Sequence, residues 1–148
     1  MRIYLLALLL LILAGCQTQT YELDQKGQVS VHTETETYLV DVEIPQTTEE
    51  MMQGLMYREH LAQDKGMLFI FPEPKKYSFW MKNTKIPLDM VFIDEAGVIV
   101  DILAAEPCIT DECPSYIPQN EVIWVLEVNQ GWSAEHGVKK EDVVMLSS

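Results

Sequence analysis

Basic side chains are scarce in this sequence: 10 Lys and Arg against 23 Asp and Glu in 148 residues, for a formal net charge of −13. So acidic a chain repels phosphates, which argues against nucleic acid as a partner, and it gains nothing by charge from anionic lipid headgroups. Apolar runs are short as well. The longest, Ile3 to Ala14, falls below the roughly 20 residues that span a bilayer core but has the length of a secretory h-region. Cysteine is limited to Cys16, Cys108 and Cys113, too few for a disulfide scaffold. There is no G-x-S-x-G, no H-E-x-x-H and no C-x2-C, so the usual signatures of a serine hydrolase, a zinc protease and a dithiol redox or zinc site are missing. Nothing calls for a cofactor.

The N-terminus is more informative. Arg2 precedes the apolar run, and Leu13-Ala14-Gly15-Cys16 closes it; this resembles the bacterial lipobox, whose cysteine becomes the lipidated first residue of the mature protein. The resemblance implies a signal peptide over 1–15 and acyl chains on Cys16, several of which make a stable anchor where one is marginal. Loss of the leader removes one basic residue, so 133 residues with a net charge of −14 remain. Gln17 rather than Asp after the cysteine resembles the outer-membrane sorting pattern. The expected location is therefore outside the cytoplasm, at a membrane, and on the periplasmic face of the outer membrane if the bacterium has two. Cys108 and Cys113 are then expected to form a disulfide, because that compartment preserves one.

Beyond Cys16 the polar stretch QTQTYELDQKGQ reads as a tether over 16–28, reaching on the order of 40 Å if extended. One domain is expected over 29–148. Val29 and Val31, then Tyr38, Val40, Val42 and Ile44, alternate at the period of strands, and Pro45 stops the second run. Thr47 and Glu50 are placed for a capping box, with Met51, Met52, Leu55 and Met56 on an apolar helical face to about Arg58. Met67 to Phe71 reads as a central strand ended by Pro72 and Pro74, and Tyr77 to Lys82 as another. Asp89–Ile93 and Val98–Leu103 form a predicted hairpin. Val122–Val128 and Val143–Leu146 complete the strands, with a short helical turn capped by Ser133 between them. The predicted fold is mainly β, a small barrel or sandwich of about seven strands with one or two short helices.

Four ordered segments carry a resemblance: Gly54-Leu55-Met56-Tyr57-Arg58, Gly66 to Phe71, Phe79-Trp80-Met81-Lys82-Asn83-Thr84 with Ile86-Pro87-Leu88-Asp89, and Val125-Leu126-Glu127-Val128 with Gly131. Together they resemble the family called domain of unknown function 192, over about residues 35–146. The resemblance implies a compact, mainly β domain and no activity. Where that family commonly has Gly-Asp near its end, this chain has Glu141-Asp142.

Candidate chemistry is sparse. Trp80, Lys82 and Asn83, with Arg58 and Asp89 from neighbouring motifs, are the expected ligand-binding set: an indole for stacking, an ammonium and an amide for polar groups. The favoured reading is a non-catalytic module that binds a small molecule, a cell-wall fragment or a partner protein of the envelope. The alternatives are a hydrolase of glycan or peptide bonds with Asp89 and Glu127 as acid and base, and an assembly accessory without a pocket. The structural reading set against the hydrolase is that these carboxylates pair with Arg58 or Lys82, or bond backbone amides at strand ends. His32, His60 and His136 read as surface residues, and Met51, Met52, Met56, Met67, Met81 and Met90 as core filler rather than thioether ligands, so no metal site is expected. Cys16→Ala is predicted to abolish labelling by a palmitate analogue and to move the protein out of the membrane fraction, which metabolic labelling and fractionation measure.

Overall fold

The computed structural model describes residues 23–147. The expected leader, Cys16 and the expected tether as far as Glu22 lie outside the described residues. Nine strands and two short helices occur within them: β1 (Lys26–His32), β2 (Thr37–Glu43), α1 (Thr48–Gln53), β3 (Lys65–Lys75), β4 (Phe79–Trp80), β5 (Leu88–Ile93), β6 (Ile99–Ala105), β7 (Ser115–Tyr116), β8 (Val122–Asn129), α2 (Trp132–Glu135) and β9 (Val143–Ser147). Seven strands form one sheet in the order β6-β5-β8-β3-β2-β1-β9, and β4 pairs with β7 in a separate ribbon. Of the two predicted architectures the barrel is not completed. The sheet edges meet over a short stretch, where Ile99 N donates to Asp142 O, Glu141 N to Ile99 O and Val144 N to Gly97 O, at 2.9, 2.9 and 2.8 Å.

Only β2 and β3 run parallel, over Asp41–Glu43 and Lys65–Met67; a parallel pair needs a crossover, which the segment containing α1 supplies. Strand β5 is buried along its whole length, because it has apolar layers on both sides. One layer lines the concave interior, with Val91, Ile93, Leu126, Val128 and Trp132. The other covers the convex face, where Met67, Phe69, Met90, Phe92 and Val125 meet Leu55, Leu61, Met81 and Leu23.

Chain order begins earlier than expected. Val29 lies inside β1, which starts at Lys26, and Leu23 is 3% exposed in the outer layer, so the last part of the polar stretch belongs to the domain rather than to a tether.

Local chemistry explains the other departures. The capping box forms: Thr47 Oγ1 accepts from Glu50 N, and Glu50 Oε2 accepts from Thr47 N at 3.1 Å. Helix α1 nevertheless ends at Gln53, short of Arg58, because Gly54 takes φ 48° against Phe69 and Tyr57 turns to φ 65°. Strand β3 runs through Pro72 and Pro74, which it tolerates because its ladder with β8 breaks between Ile70 and Lys75. The predicted strand from Tyr77 to Lys82 shrinks to the two residues that find a partner in β7. Ser133 does not cap α2. Gly131 occupies that position with φ 89°, leaving the buried Ser133 hydroxyl without a partner. Glu141, where the family resemblance expects glycine, still adopts φ 78°. The turn geometry is thus kept at the cost of about 1 kcal/mol of backbone strain.

Candidate functional site: an apolar groove beside Trp80

The outer layer does not close completely. Between α1 and the loop into β4 it leaves a groove of about 260 Å³, with Phe69 and Phe71 as its floor. Met51, Met52 and Met56 form one wall, and Tyr77, Phe79 and Trp80 form the other. Neither wall carries a charged side chain.

The aromatic wall is held by its own rings. Tyr77 stacks on Phe71 with centroids 3.6 Å apart, and Phe79 meets Phe69 and Phe92 edge-on at 5.3 and 6.0 Å. Trp80 has no place in that stack and is left 51% exposed; across the groove Met52 is 68% exposed. Methionine is suited to such a wall because its unbranched thioether repacks at low cost. Met67, Met81 and Met90 are core, as expected; Met51 packs against the outer core cluster and, with Met52 and Met56, also lines the groove.

Of the five residues expected to bind a ligand together, the structure gathers three. Lys82 lies with its ammonium 6.0 Å from the Trp80 ring and 3.3 Å from Asp111. Asn83 is already engaged: its Nδ2 donates to Tyr57 Oη at 3.0 Å, its carbonyl accepts from Tyr57 N, and its amide donates to Cys108 O. At φ 59° it occupies the left-handed region that asparagine tolerates. It is therefore a junction between the turn after α1, the motif of Trp80 and the cysteine loop. Cys108 and Cys113 are joined by the expected disulfide, and Cys108 bridges Lys82 in register.

Arg58 and Asp89 lie elsewhere. Arg58 is 7% exposed and makes two bonds to Glu43, at 2.5 and 2.7 Å. Burial alone would raise the Glu43 carboxyl, but the Arg58 guanidinium and the Leu23 amide at 2.6 Å outweigh it and hold it below the usual carboxylate value. The partner of Arg58 is thus neither Asp89 nor Glu127. A second hollow, of about 510 Å³, opens beside this pair. Its Arg58–Glu43 and Lys65–Asp41 groups are bonded to each other, which leaves them little to offer a ligand.

The acid–base pair does not assemble. Asp89 sits opposite Val128 and Met90 opposite Glu127 in the ladder between β5 and β8, so the two carboxylates point to opposite faces of one sheet. Asp89 accepts from Ser133 N at 3.0 Å on the concave side. Glu127 is buried between Met67 and Met90 on the convex side, and burial pushes its carboxyl up to about 8. A single bond cannot lie between them. Histidines supply no substitute: His60 is exposed, His32 bonds Ser30 and Thr37, and His136 packs against Tyr38 and Trp132. Among the described residues no three His, Cys, Asp or Glu side chains are grouped to hold a metal ion.

Comparison with known proteins identifies the family and the fold. The family model of DUF192, described as Uncharacterized ACR, matches residues 29–146. The chain belongs to that family. Among solved structures it is similar to a protein of Sinorhizobium meliloti 1021 proposed to be a transcription regulator, with 36% identity over 82% of this chain and 94% of that one and a TM-score of 0.75. It is also similar to a protein of unknown function from Novosphingobium aromaticivorans DSM 12444, with 30% identity over 80% of this chain and 83% of that one and a TM-score of 0.73. None of the curated proteins compared with it matches. The family motifs acquire physical reasons here. A Cβ at Gly66 would lie 2.5 Å from Glu127 O, so glycine permits the close approach of β3 to β8.

Glu127 generates a pH dependence of defined sign. Its carboxyl is held above the unfolded value of 4.5, so the folded state binds the extra proton. The stability this proton supports is complete below pH 4.5 and lost as pH rises through about 8, on the order of 3 kcal/mol by pH 7. Glu127→Gln is expected to flatten the fall of urea stability between pH 5 and roughly 8 and to exceed wild type at the upper end.

Proposed function

We propose that this chain is a non-catalytic envelope module, anchored outside the cytoplasm through lipid on Cys16, that binds an apolar or aromatic ligand in the groove beside Trp80. The observation that carries the proposal is the half-exposed Trp80 ring facing a methionine wall across a hollow free of charged lining. An indole left exposed beside flexible thioethers suits recognition by shape and contact area rather than by a fixed set of hydrogen bonds. Its neighbour Lys82 adds one ammonium at the rim, able to meet a carboxylate or hydroxyl of a cell-wall fragment.

A catalytic reading has no such support, since Asp89 and Glu127 face away from each other and neither lines the groove. The Sinorhizobium relative is described as a proposed transcription regulator; for this chain, a mature charge of −14 opposes binding to a polyphosphate.

The test is a thermal-shift screen of wild-type and Trp80→Ala proteins against cell-wall fragments, sugars and an apolar aromatic dye. At least one apolar or aromatic probe is expected to raise the melting temperature of the wild type, with the shift largely lost in Trp80→Ala. Identical responses of the two proteins across the panel would remove the groove as a ligand site.

A further inference from the structure

We propose that the groove beside Trp80 faces the bilayer that anchors Cys16 and takes up an acyl chain from it. This rests on the anchoring and ligand-groove reading above and names its ligand class.

The first argument is the length of chain between the anchor and the fold. Leu23 is buried in the outer layer, in the same cluster as Leu55 and Phe69 of the groove, and its amide is bonded to Glu43. Six residues lie between Cys16 and Leu23, so the two are at most about 25 Å apart along the chain. That is well short of the reach expected for a tether ending at Gln28. It is also comparable to the width of a small domain, so the body is confined to the lipid surface, and the layer that receives the incoming chain is the one that carries the groove.

Charge distribution gives the second argument. Residues 48–85, which supply both groove walls, carry six basic and five acidic side chains, whereas the rest of the chain beyond Cys16 carries three basic and eighteen acidic. Anionic headgroups repel the acidic remainder of the chain more strongly than the nearly neutral stretch that supplies the groove walls, so approach through the groove costs least. The third is exposed apolar surface. Met52 and Trp80 are exposed at the groove, and Tyr57 is 62% exposed where it bonds Asn83. Indole and phenol rings with adjacent lysine are suited to the headgroup level of a membrane, where one end of the side chain is apolar and the other wet. The groove itself offers hydrocarbon contact and no charged group for a headgroup.

The experiment uses the full lipidated protein reconstituted in phosphatidylcholine vesicles whose acyl chains carry bromine, a short-range quencher of indole emission. The chain has three tryptophans, of which Trp132 is 3% exposed. Bromolipid is expected to lower the emission of the wild type and to leave that of Trp80→Phe unchanged. Met52→Asp, at an exposed position, is expected to relieve the quenching while unfolding at the wild-type temperature, and Leu39→Asp, outside the groove, to leave it intact. Equal quenching of wild type and Trp80→Phe, or none in either, overturns the proposal. The mass of the protein separates the two readings. Acyl mass on Cys16 with an unquenched Trp80 defeats the bilayer contact alone, and absence of that mass defeats the anchor together with it.

Discussion

The buried ion pair between Arg58 and Glu43 ties a segment outside the strand ladders to the end of β2 and to the chain entering β1. Glu43 ends β2, Arg58 follows the turn after α1, and the Leu23 amide shares the same carboxylate. Removing such charges from water is costly, and the pair is tolerated because both guanidinium bonds and the amide bond satisfy it at once. Its structural consequence is positional. The segment from Leu55 to Leu61 is pinned over the convex face, and the incoming chain is pinned beside it.

That cover decides where function can reside. The sheet has an interior sealed by its own curl and an outer face that must borrow a lid from α1, the following turn and the ribbon of β4 with β7. A borrowed lid fits less closely than a sheet fits itself, and the mismatch is the groove between methionines and aromatic rings. The same division sends Asp89 to one face and Glu127 to the other, because neighbouring positions in a ladder alternate sides. What is lost for acid–base chemistry is thus a direct result of strand geometry.

Much of the fold was legible because alternation, proline stops and the Thr47 capping box are local signals. The mainly β class, the hairpin around Asp94 to Gly97 and the pairing of Cys108 with Cys113 all follow from residues near one another in sequence. The candidate site was legible only in part. Trp80 and Lys82 share a strand face and could be placed together, but Arg58 meets a carboxylate 15 positions away, and no pattern distinguishes Glu43 from the other acidic residues of an acidic chain. The groove lined by Met51, Met52 and Met56 was not legible, because helical periodicity marks a face as apolar without saying how completely another element covers it. Asn83 looked like a ligand donor. Its φ of 59° and its bonds to Tyr57 and Cys108 are set by a turn that the sequence does not reveal.

The outer layer is held in place chiefly by the Arg58–Glu43 pair. Urea unfolding of Arg58→Ala, compared with the double variant Glu43→Ala with Arg58→Ala, tests this claim most directly. The single variant is predicted to lose about 3 kcal/mol by stranding a buried carboxylate, and the double variant to recover part of that loss. A single variant within roughly 0.5 kcal/mol of wild type would contradict the claim, since a change that small is typical of surface positions away from any such feature.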